Sequence, residues 1–204
     1  MAERKPVIEW HIAGRPVEGE ERSGDQGLVL TSEHDALVAA VDGVGRGAAA
    51  ASAAHVAIDA IRLGPRDDVL ALARHCHEAL RRTRGAAVGI AAFRGDATVT
   101  WLGVGNVTAR LVQRGQAFRA AGHWLVGLGG VPGDELPELR SVTLPVHRGD
   151  VLVVATDGVD DHFADDLVAT GSCEDIARRL LREYARETDD ALVVVARYLG
   201  EGTL

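Results

Sequence analysis

Lysine is almost missing from this chain of 204 residues: Lys5 is the only one, so positive charge rests nearly entirely on arginine. No basic run occurs, and 22 Lys and Arg against 30 Asp and Glu leave a formal net charge of -8. Nucleic acid is therefore not expected as a partner, because its phosphates need a basic face. Cysteine is scarce too. Cys76 and Cys173 are too few for a disulfide framework and read as small apolar groups in a reducing compartment. No apolar run approaches the roughly 20 residues of a membrane span. Val7 to Ala13 is too short and interrupted for a secretory signal. These absences give the expectation of a cytoplasmic protein without a membrane partner.

What is present is a globular composition, 47% hydrophobic and 25% charged, read as one domain over residues 1–204. Strand patterns cover Val7 to Ala13, Gly27 to Thr31 and Ala36 to Val41. Two helices follow, Ala48 to about Arg62 and Arg66 to Arg82, separated by Gly64-Pro65. Further strands are expected at Ala87 to Phe93, Thr98 to Gly105, Thr108 to Gln113, Gln116 to Ala120, Arg140 to Pro145 and Val151 to Ala155. His123 to Pro137 reads as a glycine- and proline-rich loop. A helix from Cys173 to Arg186, with Ser172 as its N-cap, precedes a last strand, Ala191 to Tyr198. Two consecutive helices between runs of strands do not fit a doubly wound parallel sheet. They fit an α+β sandwich of two antiparallel sheets with helices outside, in four α-β-β-α layers.

Four aspartates carry the chemistry. Asp42 ends the run Leu37 to Val41, Asp157 follows Val151 to Ala155, Asp189 precedes Leu192 to Val195, and Asp25 lies in Ser23-Gly24-Asp25. Gly43 and Gly158 directly follow two of them and allow close backbone approach. Carboxylates at the ends of buried strands need a positive partner. Oxygen ligands gathered from distant places suit Mg or Mn. Asp25, in a polar stretch, ranks as the most peripheral of the four.

The ordered set Ser23-Gly24-Asp25, Asp42-Gly43-Val44-Gly45, Thr156-Asp157-Gly158 and Asp189-Asp190-Ala191-Leu192 resembles the metal-dependent protein phosphatases of the 2C type, including their SpoIIE-like branch. Val104-Gly105-Asn106-Val107 and the short length are similar to the small stand-alone stressosome members. The resemblance implies two divalent ions, Mn or Mg, with Asp42 bridging both and the Gly43 carbonyl binding one. Asp157 and Asp189 would hold the other, Asp25 would bind directly or through water, and activated water would attack phosphorus. Arg22 and Arg46 are its candidate phosphate-binding arginines. The implied substrate is phosphoserine or phosphothreonine on a bacterial regulatory protein, of the STAS-domain stressosome or anti-sigma antagonist type. Oligomeric state stays open.

Two departures stand out. Arg46 occupies a position where many members have histidine, and Ala191-Leu192 replaces the usual threonine-containing sequence after Asp190. They keep alive a catalytically weak, phosphatase-fold binding module. A third reading takes Gly43-Val44-Gly45-Arg46-Gly47-Ala48 as a dinucleotide fingerprint. His123 and His162 read first as surface residues, with a place near the site as general acid the alternative, and His75-Cys76-His77 reads as ordinary helix surface and core.

Overall fold

The computed structural model describes residues 6–114, 122–165 and 167–200. Its strands are β1 (Ile8–Arg15), β2 (Asp25–Thr31), β3 (Ala36–Gly43), β4 (Ala86–Arg94), β5 (Thr98–Val104), β6 (Thr108–Val112), β7 (Gly122–Leu125), β8 (Val142–Pro145), β9 (Val151–Ala155) and β10 (Ala191–Tyr198). The helices are α1 (Gly47–Leu63), α2 (Val69–Leu80) and α3 (Cys173–Tyr184), with a 3-10 turn at Asp161–Ala164. One sheet runs β1-β10-β9-β6-β7 and the other β2-β3-β4-β5-β8, with antiparallel neighbours throughout. The expected α+β sandwich is present, and the antiparallel pairing excludes the dinucleotide-binding fold.

The central strands read as continuous apolar runs because both of their faces are covered. Val38 and Ala40 of β3 join Phe93, Trp101, Leu152, Val154 and Val194 in the core between the sheets. Leu37, Ala39 and Val41, one residue out of phase, pack with α1 and α2. On the other side, Val151, Val153, Val193 and Val195 pack with Ile176, Ala177 and Leu180 of α3. Ser172 and Asp175 close a capping box at the start of α3.

Small residues let the layers come close at one end. A Cβ on Gly43 would stand 2.1 Å from the Ala50 carbonyl oxygen of α1, and one on Gly158 would stand 1.7 Å from that of Asp190. Backbone therefore meets backbone at both Asp-Gly steps.

Some boundaries differ from expectation. Strand β7 lies inside the stretch read as loop, since Gly122 to Leu125 pairs with Val112 to Ala109 and buries Leu125. Helix α2 begins at Val69 because the Asp68 carboxylate accepts from the Leu70 N–H at 2.8 Å. Helix α3 stops at Tyr184, where the Arg186 N–H turns away to the Gly158 carbonyl at 2.8 Å. The strand expected at Gln116 to Ala120 lies outside the described residues. Among the described residues no helix is long and apolar enough to cross a membrane.

Replacing Gly158 with alanine is expected to lower stability by about 3 kcal/mol or more, since backbone must move on both sides. Gly129, whose added Cβ would meet nothing within 4 Å, is the control, and its alanine variant should stay within about 0.5 kcal/mol. Urea unfolding midpoints of the two variants check this.

Candidate metal centre

Register brings the aspartates together. Asp25 and Asp42 are direct partners across β2 and β3. On the other sheet, β9 and β10 are neighbours, so Asp157, two residues past β9, and Asp189, two residues before β10, emerge at one end. The Asn106 amide, from the turn between β5 and β6, spans the two sheets. It donates to Asp42 Oδ2 at 3.1 Å and to Asp157 Oδ2 at 2.5 Å. Asp42, Asn106, Asp157 and Asp189 line an open cleft of about 450 Å³, with Gly45 and Arg46 on its wall.

Asp25 is not part of the cleft lining, and its setting is ordered rather than a loose polar approach. It is the first residue of β2, buried, and its Oδ2 accepts from the Thr156 hydroxyl at 2.6 Å. The polar stretch before it is held by Asp190, whose buried carboxylate accepts from the Val17 N–H and the Gly24 N–H, each at 2.7 Å. A carboxylate satisfies both amides, whereas an amide side chain offers one acceptor atom.

Electrostatics at this end are unfavourable for the protein alone. Burial, followed by the charge of Asp42, pushes Asp25 up to about 8. Burial and then Asp157 push Asp42 up to about 6. Asp157 is raised as well, chiefly by burial, against the lowering effect of the Asn106 hydrogen bond. Crowded, half-dry carboxylates of this kind call for a cation.

The oxygen-only donor set fits a hard divalent ion. Among the described residues no three His, Cys, Asp or Glu side chains form a ready-made ligand cluster. The carboxylates would therefore be complemented by backbone carbonyl and water, a mode that suits Mg, which dehydrates reluctantly.

Of the two candidate arginines, Arg46 lines the cleft and its Nη2 donates to the Thr188 carbonyl at 2.7 Å. Arg22 is exposed and is not part of the cleft lining. His123 is an exposed residue of β7. His162 is exposed too, with Nδ1 2.6 Å from Asp160 Oδ1, and that carboxylate holds its imidazole above the usual range. His77 and Cys76 are buried on α2, and His77 Nδ1 accepts from the Gly133 N–H at 2.9 Å, a packing role as expected.

Asn106, Asp190 and Arg186 escaped the sequence reading as members of the site. Arg186 donates to the Asp157 carbonyl at 3.1 Å and reaches Asp160 Oδ2 at 3.4 Å. Adjacency to Asp189 is the available signal for Asp190, and the Val104-Gly105-Asn106-Val107 segment is that for Asn106; the contacts of Asn106 and Arg186 cross 29 to 64 residues.

The raised Asp25 and Asp42 values fix a pH dependence. In the metal-free protein the unfolded chain ionises near the usual 3.8, while folded Asp25 waits until about 8 and Asp42 until about 6. Between these values the folded state binds more protons, so stability falls as pH rises. Melting temperature of metal-free protein is expected to drop from pH 5 to pH 8. The Asp25→Asn variant should flatten that drop, and a drop of the same size in the variant would remove Asp25 as its source.

Comparison of the sequence with curated proteins gives no significant match. Solved structures do match over nearly the whole chain. A structure described under the bacterial stressosome, a modular system adapted to control secondary messenger signalling, has 28% identity and a TM-score of 0.85, covering 93% of this chain and 99% of the other. RsbX, solved in complex with magnesium, has 20% identity and a TM-score of 0.84, with coverage of 96% and 97%. The Mycobacterium tuberculosis serine/threonine phosphatase PstP has 16% identity and a TM-score of 0.76, with coverage of 95% and 99%. The last two share the fold. The family model of stage II sporulation protein E (SpoIIE) matches residues 32–199, and with the aspartate geometry this places the chain in the SpoIIE family.

Proposed function

We propose that this protein is a metal-dependent protein serine/threonine phosphatase of the cytoplasm, working as one domain over its 204 residues. Its substrate would be phosphoserine or phosphothreonine on a bacterial regulatory protein of the STAS-domain stressosome or anti-sigma antagonist type. The observation that carries this reading is the convergence of Asp42, Asp157 and Asp189 on one open cleft, with Asp25 buried beside Asp42. The structural neighbours support it: PstP is a serine/threonine phosphatase also solved with two manganese ions, and RsbX was solved with magnesium.

Asp42, Asp157, Asp189, Asp25 and the Gly43 carbonyl would hold two divalent ions, Mn or Mg. Bound there, such ions supply an acidified water and neutralise charge on phosphoryl oxygens. The chain's own residues supply placement. Asn106 fixes Asp42 relative to Asp157, the Thr156 hydroxyl fixes Asp25, and Arg46 ties down the residue before Asp189. Serine, cysteine and threonine nucleophiles are not needed in this arrangement. The cleft is open enough to admit a side chain presented by another protein.

Turnover of p-nitrophenyl phosphate with added Mn is the direct test. Asp42→Ala and Asp157→Ala are each expected to lower kcat by about a hundredfold or more. Circular dichroism would verify that both variants fold. Wild-type protein that releases no phosphate with Mn or Mg, yet still captures a phosphorylated STAS-domain protein, would convert the enzyme into a binding module.

A further inference from the structure

We propose that Arg84 is the guanidinium that receives the substrate's phosphoryl group at the mouth of the cleft. The inference rests on the phosphatase reading and adds a substrate-binding residue to it. A phosphate dianion approaching this end meets carboxylates, so positive charge at the rim decides how well it is held. Two arginines beside the carboxylates are already committed. Arg46 donates to the Thr188 carbonyl at 2.7 Å, and Arg186 donates to the Asp157 carbonyl at 3.1 Å.

Arg84 differs in both placement and state. It lies in the short turn between α2 and β4, which is internally fixed: the Thr83 hydroxyl donates to the Leu80 carbonyl at 2.7 Å and accepts from the Gly85 N–H at 3.0 Å. That turn is tied to two segments of the cleft wall. The Val44 N–H donates to the Gly85 carbonyl at 3.1 Å, and the Ala86 N–H donates to the Pro132 carbonyl at 3.1 Å, next to Val131.

From there the Arg84 side chain reaches back across the glycine turn. A Cβ on Gly45 would stand 2.8 Å from Arg84 Nη1. Gly45 adopts φ +97 and lines the cleft, so its missing side chain both permits the turn and leaves room for the guanidinium. Among the described residues Arg84 makes no hydrogen bond or ion pair with the protein. Like Arg22 it is exposed and outside the cleft lining itself, but its guanidinium is placed against Gly45, a lining residue. An exposed planar fork with donors to spare, held beside an acidic cleft, matches the geometry of phosphate oxygens.

The test uses full-length protein with Mn and inorganic phosphate as the probe. Calorimetric titration of phosphate is expected to show about five- to tenfold weaker binding by Arg84→Met. Arg84→Lys, which keeps the charge and loses the fork, should recover part of it. With p-nitrophenyl phosphate, Arg84→Met should raise KM by more than it lowers kcat. Unchanged phosphate affinity in a variant with wild-type melting temperature, or no phosphate binding by the wild type, overturns the proposal. Arg84-dependent phosphate binding in a protein without turnover would support the anion site while removing the phosphatase reading.

Discussion

The Thr156 hydroxyl joins the two sheets at the point where the carboxylates gather. It donates to Asp25 of β2 at 2.6 Å and accepts from the Leu192 N–H of β10 at 2.9 Å. One oxygen thereby belongs to the hydrogen-bond ladder of one sheet and to a buried acid of the other. A sandwich held only by side-chain packing tolerates small slides of sheet on sheet, because apolar contact has little direction. A short directional bond to a buried carboxylate removes that freedom locally. Asp190 acts in the same sense a few residues away, gripping the chain that enters β2 through the amides of Val17 and Gly24.

This clamp explains how acids that repel one another come to share one end of the fold. Hydrophobic burial in three apolar layers sets the strands, and their register, once set, delivers Asp25 opposite Asp42 and Asp157 near Asp189. The glycines then remove the last obstacle. Side chains at Gly43 and Gly158 would occupy the space of Ala50 and Asp190 backbone, so close packing and carboxylate convergence have the same cause. Stability from the bulk of the core is spent locally at this end, where burial raises Asp25 to about 8 and Asp42 to about 6. Perturbed carboxylates concentrated in one cleft are what a functional site looks like in energetic terms.

Much of this was legible in the chain. Runs such as Leu37 to Val41 and Val151 to Ala155 announce strands covered on both faces, and Ala191 to Tyr198 has the same bounds in sequence pattern and structure. The aspartates stand out because each interrupts or borders such a run. The burial of Asp25 is not legible locally, because Glu18 to Gly24 is polar and Gly24 is held by Asp190, 166 residues further along the chain. Asn106 stands in the quoted Val104-Gly105-Asn106-Val107 segment, but its role exists only once Asp42 and Asp157 lie on either side of it. Strand β7 was hidden by glycine on both flanks, while its existence depends on pairing with β6.

Arg46 shows why a departure from a family pattern need not mean decay. Its guanidinium donates to the carbonyl of Thr188, the residue immediately before Asp189. Glycine on either side leaves it free to cross from the start of α1 to the approach of β10. Gly45 supplies φ +97 and Gly47 φ +68, both in the left-handed region. An arginine is long enough to make that span between sheets. The exchange thus adds a further tether across the cleft, beside Asn106, Thr156 and Asp190, and it bears on Asp189, the acid that neither Asn106 nor Thr156 touches. Each of the four aspartates then has its own restraint: Thr156 for Asp25, Asn106 for Asp42 and Asp157, Arg46 beside Asp189. A chain that had abandoned this end for a purely structural life would have no physical reason to keep four mutually repelling acids so individually held.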